Sequence, residues 1–121
     1  MRVRQVIEQL GLSLISGNQI DVEITGGYAS DLLSCVMAGA RAGNIWVTLQ
    51  AHPNVIAVAS LVELSAVIIT EGVSPDPETI HRAQETGIPL LTTAQDTFST
   101  VIALAGLGIG GNEDTTSNPS H

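Results

Sequence analysis

Apolar and polar residues recur along this chain with two different periods. Val3, Val6, Ile7 and Leu10 stand at i, i+3, i+4 and i+7, which predicts an amphipathic helix stopped by Gly11. "LSLIS" (12–16) then reads as a short strand and "GNQ" as a turn. "IDVEIT" (20–25) alternates apolar Ile20, Val22 and Ile24 with polar partners, the pattern of a strand with one wet face. Beyond Gly26 and Gly27, Ser30 or Asp31 is placed to cap a helix with the apolar face Leu32, Leu33, Val36, Met37 and Ala40.

The second half repeats the alternation of strand and helix. "NIWVTLQ" (44–50) predicts a strand, and Pro53 suits the first turn of a short helix running through Ser60. "AVIIT" (66–70) is continuously apolar, as a central strand covered on both faces must be. In "SPDPETIHRAQETG", Asp76 reads as N-cap, Pro77 as first helical residue and Gly87 as the stop, with Glu78 favouring the positive helix end. "IPLLTT" (88–93) is a further strand, and Phe98, Val101, Ile102 and Ala105 mark one face of a last helix. The expected fold is a three-layer α/β domain with a largely parallel central sheet flanked by helices. It should span residues 1–109, followed by a disordered polar tail at 110–121.

Composition narrows the chemistry. Twelve acidic side chains face four arginines and no lysine, a formal charge of −8. Such a chain repels phosphate backbones and anionic lipid, so neither nucleic acid nor a membrane surface is an expected partner. Without lysine there is no Schiff-base amine and no Walker lysine for a nucleotide phosphate. Cys35 is the only cysteine, and it sits beside Val36 in an apolar helix, where it should be a small buried hydrophobe. The three histidines show no metal-ligand spacing, and no cofactor is expected. No run approaches ~20 apolar residues, which points to a soluble, cytoplasmic protein. A mean hydropathy of +0.31 with only 13% charged residues implies apolar surface shared with another chain, hence a homodimer. The helix bearing Leu32, Leu33, Val36 and Met37, or the segment Val55 to Leu61, is the expected contact.

"DVEITGGYASDLLSCVMAGA", "NIWVTLQAHPNVIAVASLVELSAVIIT" and "GVSPDPETIHRAQETGIPLLTT" together resemble the DRTGG domain family. Asp21, Thr25, Gly26 and Gly27 match the naming motif, whereas Val22 stands where the family usually carries arginine. The resemblance implies a free-standing member with a fold similar to the N-terminal domain of HPr kinase/phosphorylase, which is not the part that transfers phosphoryl groups. It further implies a non-catalytic regulatory module that senses a ligand or self-associates.

Parallel sheets gather ligands beyond their C-terminal strand ends. The loops expected there offer Thr25, Gly26, Gly27, Ser30, Asp31, Thr48, His52, Thr93 and Asp96, with Gln50, Asn54 and Thr92 beside them. Hydroxyls and amides of this kind suit a small polar metabolite or an adenine nucleotide. They equally suit helix caps and turns. Gly26 and Gly27 lack a GxGxxG context and should serve first as a tight turn, with Gly27 at positive φ. His52, just before Pro53, is expected to cap or pack, while His81 should be solvated. "GLGIGG" (106–111) follows a helix and reads as an exit loop, not a nucleotide fingerprint. Three functions remain in competition. They are a sensor of a small polar ligand, a protein–protein interaction module, and a serine-kinase-like enzyme built on Asp31, His52 and Asp96 around a nucleotide–magnesium complex.

Overall fold

The computed structural model describes residues 1–112. In chain order its helices are α1 (Val3–Leu10), α2 (Leu33–Gly39), α3 (Asn54–Val62), α4 (Pro77–Thr86) and α5 (Thr97–Gly106). Its strands are β1 (Ser13–Ser16), β2 (Gly26–Ala29), β3 (Asn44–Thr48), β4 (Ala66–Ile69) and β5 (Leu90–Thr92). They form one sheet in the order β1-β5-β4-β3-β2, parallel throughout except for the antiparallel edge strand β1.

The apolar run at Ala66–Ile69 lies at the sheet centre, buried on both faces. Side chains of successive strand residues point to opposite faces, and this divides the interior in two. Trp46, Val67, Ile69 and Leu90 meet Val36 of α2, Val55, Ile56 and Ala59 of α3, and Ala83 of α4. Ile45, Val47, Ala66, Ile68 and Leu91 meet Val3 and Val6 of α1 and Leu104 of α5. The result is the three-layer α/β architecture. Helix α4 begins as its sequence predicts, with Asp76 at the N-cap, its carbonyl accepting from the Thr79 and Ile80 N–H groups, and Pro77 as its first residue. It ends at Gly87, which takes the left-handed conformation at φ 81°.

Several local expectations are overturned. "IDVEIT" is not a sheet strand; it pairs with the N-terminal segment instead. Val3 N–H donates to the Val22 carbonyl (3.1 Å), Arg4 N–H to that of Ile20 (2.7 Å), and Ile24 N–H to that of Met1 (2.9 Å). Arg4 adds a two-pronged hydrogen bond to the Asp21 carboxylate at 2.8 and 2.9 Å. Ile20 and Ile24 pack against the core beside α1 while Val22 is exposed, so the alternation marks no sheet face. Cys35 is exposed, because Val36 is the α2 residue that turns inward.

Helix α5 presents the opposite face from the expected one. Thr100 and Leu104 are buried, while Phe98 is 76% and Ile102 54% exposed, and Val101 is also exposed. Of the anticipated contact surfaces, Leu32, Met37 and Leu61 are exposed, but Val36 and Val55 to Ala59 lie mostly in the core. Residues Gly110 to Asn112, placed by composition in the polar tail, run against β2. The rest of that tail, 113–121, and with it His121, lies outside the described residues.

The orientation of α5 is open to a direct check. Leu104→Ala should destabilise by about 2–5 kcal/mol, the range for truncating a buried leucine. Phe98→Ser should stay within about 0.5 kcal/mol, as exposed sites do. Urea unfolding of both variants measures the difference, and the reverse ranking would contradict the packing described.

Candidate functional site

Strand direction separates the predicted site residues into two groups. β2 runs from Gly26 to Ala29, so Thr25, Gly26 and Gly27 start it, and Ser30 and Asp31 follow its end. A strand of that length spans ~13 Å. Thr48 closes β3, Thr93 follows β5, Asp96 caps α5, and His52 precedes α3. The sheet therefore brings Ser30, Asp31 and Thr48 together at its C-terminal end and leaves Thr25 and the glycines at the other.

At the C-terminal end the polar groups are engaged with one another. Asp31 Oδ1 accepts from Thr48 Oγ1 and from Leu49 N–H, both at 2.8 Å. Gln50 Nε2 donates to the Asp31 carbonyl (2.9 Å), and Trp46 Nε1 to that of Ser30 (2.8 Å). Ser30 Oγ accepts from Leu32 N–H at the start of α2 (3.1 Å). Asp31 thus ties the end of β2 to the end of β3, and does not sit on the α2 amides. His52 Nδ1 accepts from Asn54 N–H (3.1 Å), and Thr93 Oγ1 from Gln95 N–H (3.2 Å), so both serve local turns. His81 is exposed beside Glu85, as expected.

Asp96 accepts from Ser99 N–H at 2.6 Å as the side-chain cap of α5. That backbone hydrogen bond holds its carboxyl below the usual carboxylate range. Asp21 is lowered likewise, first by its hydrogen bond to the Arg4 guanidinium. Sequence reading missed Glu71, whose carboxylate accepts from Thr97 N–H (3.0 Å) at the same helix start. Glu71 adopts φ 65°, and nothing in its sequence neighbourhood announces a partner 26 residues away.

Val22, at the family's usual arginine position, lines an open cavity of about 320 Å³ with Gln19, Glu23, Ser60, Glu63 and Ser65. Two carboxylates with no basic side chain among the lining residues would repel an anion there. A second hollow, about 170 Å³, is apolar and runs between α5 and the sheet. Tyr28, Ala29 and Val47 line it from the sheet, Val101 and Leu104 from α5, and Ile109 from the segment that follows α5. Among the described residues, no three His, Cys, Asp or Glu side chains converge on a point where a metal could bind.

The glycine pair does not make a turn. Gly26 and Gly27 are the first two residues of β2, and neither has positive φ. An added Cβ at Gly27 would meet Ile109 Cγ2 at 3.6 Å, an ordinary contact. At Gly26 it would come within 3.1 Å of the Gly110 carbonyl oxygen and 3.2 Å of Asn112 Oδ1. Close approach of the C-terminal segment, not backbone strain, favours glycine at the first position.

A mostly parallel five-stranded sheet between two helix layers, ending in this partly self-satisfied rim, defines a small three-layer α/β domain. The chain belongs to the DRTGG domain family, whose model matches residues 19–107. Its fold is similar to that in a crystal structure of the CBS and DRTGG domains of the regulatory region of Clostridium perfringens pyrophosphatase, complexed with the activator diadenosine tetraphosphate. That similarity has a TM-score of 0.66 at 17% identity, and covers 84% of this chain and 45% of the other. No curated protein matches the chain in sequence. Among the described residues, no helix is long and apolar enough to cross a membrane.

Two outcomes follow from this geometry. Gly27→Ala should leave the thermal midpoint nearly unchanged, since its Cβ finds ordinary contact distances and no forbidden φ. A loss comparable to a core truncation would show that the strand geometry is wrong. The depressed carboxyls of Asp21 and Asp96 favour the native state when ionised, so their contribution is complete above about pH 4 and is lost as pH falls further. Asp96→Asn keeps a capping oxygen without a titrating proton. Its acid unfolding curve, followed by circular dichroism from neutrality to pH 2, should be shallower than the parent's. An identical curve would remove Asp96 from the pH response.

Proposed function

We propose that this chain is a non-catalytic regulatory module that works by pairing with a second copy through the outer face of α5. One observation carries the reading. Phe98, Val101 and Ile102 are exposed on a helix, Thr97–Gly106, that contains no charged residue, in a chain of formal charge −8. Two acidic copies repel each other least where neither presents charge. That patch is also where burial gains most, at about 1.5–3 kcal/mol for each large apolar side chain fully covered. The adjoining hollow beside Tyr28, Val47 and Ile109 extends the patch, which matters because a stable interface covers roughly 800 Å² per partner. The mean hydropathy of +0.31 with 13% charged residues supports the same reading.

Response to a small polar metabolite, an adenine nucleotide first among them, is the second reading. Its support is the fold similarity to a regulatory region complexed with diadenosine tetraphosphate. The strand-end groups Ser30, Asp31, Thr48 and Gln50 would be its contacts, and they would have to exchange existing hydrogen bonds for new ones. A phosphoryl-transfer enzyme has the least support. Asp31 and Asp96 are committed to Thr48 and Ser99, His52 is committed to a turn, and the chain has no lysine.

Light scattering from micromolar to high micromolar concentration should report a dimer. Val101→Glu combined with Ile102→Glu should convert it to a monomer with an unchanged circular dichroism spectrum. A monomeric parent at high micromolar concentration would refute the association reading. A thermal-shift panel of nucleotides and central metabolites tests the alternative, because a ligand at a hundred times its dissociation constant adds about 2.7 kcal/mol. A flat response across the panel would count against sensing.

A further inference from the structure

The C-terminal segment crosses the edge of the sheet at the residues the sequence singles out. Gly27 N–H donates to the Gly110 carbonyl at 2.8 Å. Asn112 Nδ2 donates to the Gly39 carbonyl at 3.2 Å and also to Asn44 Oδ1. Asn44 is fully buried, and its own Nδ2 donates to Thr25 Oγ1 (3.1 Å), whose hydroxyl in turn donates to the Ala42 carbonyl (2.8 Å). Gly26 lies beneath this crossing, where an added Cβ would press on the Gly110 carbonyl and Asn112 Oδ1 at 3.1 and 3.2 Å. Thr25, Gly26 and Gly27 therefore do three complementary things. Thr25 orients the buried amide, Gly26 clears the path, and Gly27 supplies the backbone donor.

Those three residues build a cradle for a stretch of backbone, and Gly110–Asn112 fill it. Such a strap covers the exposed side of an edge strand, which would otherwise offer unpaired backbone groups. It also shapes the surface next to it. Ile109, Gly110 and Gly111 form one wall of the apolar hollow whose other wall is Val101, Leu104 and Ala105 of α5. Ile109 is anchored by its burial, with the Leu107 and Gly108 turn behind it closing on Leu104 and Ala105. The polar contacts beyond it come from Gly110 and Asn112.

We infer that docking of the Gly110–Asn112 strap on Thr25, Gly26 and Gly27 controls self-association by setting one wall of the α5 hollow. The occupant of the cradle is the chain's own C-terminal segment, and the partner at the hollow is a second copy. This rests on the association reading above and adds a means of regulation to it. A docked strap presents a formed hollow; a released one removes the wall and leaves α5 alone to make the contact.

The test uses the full chain in three forms: parent, Asn112→Ala and Gly26→Ala. The first variant deletes the side-chain anchor, and the second adds a methyl group beneath the strap. Two quantities are measured on each, the hydrogen-exchange rate of the Gly27 amide and the dimer dissociation constant from concentration-dependent light scattering. Both variants should exchange the Gly27 amide about tenfold faster or more, as local opening predicts. Both should also dimerise about tenfold more weakly, while core amides in β4 keep parental protection. Faster exchange at Gly27 with parental dimerisation would overturn the coupling. Parental exchange in both variants would overturn docking through these contacts. A monomeric parent whose Gly27 amide is protected would remove the association reading, and the proposed control with it, while leaving the docked strap intact. If Gly26→Ala fails to fold, Asn112→Ala alone decides, since it removes atoms at a half-buried position and introduces none.

Discussion

Burial of Ala66–Ile69 on both faces is the constraint from which the rest of the molecule follows. Four consecutive apolar residues in a strand leave neither sheet face able to meet water, so helices must cover both. The crossover helices between parallel strands supply α2, α3 and α4 on one side. The other side falls to α1 and α5, the helices at the two ends of the described chain. Among the described residues, no further helix or strand covers their outer surfaces. An apolar stripe on α5 consequently ends up outside.

The same economy governs the polar rim. Parallel sheets usually leave a crevice at the C-terminal strand ends, where loops diverge. Here Asp31 joins the ends of β2 and β3, and Asp96 and Glu71 both serve the start of α5. Each satisfies backbone or hydroxyl donors that would be costly to leave unpaired. A ligand at this rim would compete with the fold's own hydrogen bonds. An apolar partner at α5 would compete only with water. That difference in what must be given up is why association outranks ligand sensing in the reading of this domain.

Charge is distributed to match. Arg2 and Arg4 hold the N-terminal segment to Asp21 and Glu23, and Arg82 pairs with Glu78 along α4. Exposed pairs of this kind add little stability each, but they fix the N-terminal segment against residues 20–24. In doing so they commit Asp21, the first residue of the family motif, to a structural partner. Thr25, Gly26 and Gly27 are likewise committed to the C-terminal strap. The motif thus joins the N-terminal segment and residues 110–112 to the region of the β2 edge.

The local pattern of residues determined most of the elements and their order. The i, i+3, i+4 spacing of α1, the Asp76-Pro77 start and Gly87 stop of α4, and the apolar run of β4 need only neighbouring residues to be read, and each lies where its chemistry places it. The three-layer fold was legible for the same reason. What tertiary structure alone decided depends on residues far apart in the chain. "IDVEIT" has a strand's alternation, yet its backbone partners are Met1, Val3 and Arg4. The Gly26 and Gly27 pair has the look of a turn, yet it pairs with Asn44 and Ile45 as the start of β2, with Gly110–Asn112 passing over it. The last helix carries apolar residues on more than one face, with Leu104 on one and Phe98, Val101 and Ile102 on the other. Periodicity finds such a helix without choosing its inner side. Only the space left over Ile45, Val47 and Ile68 makes that choice, because it admits Leu104 and leaves the broader stripe outside.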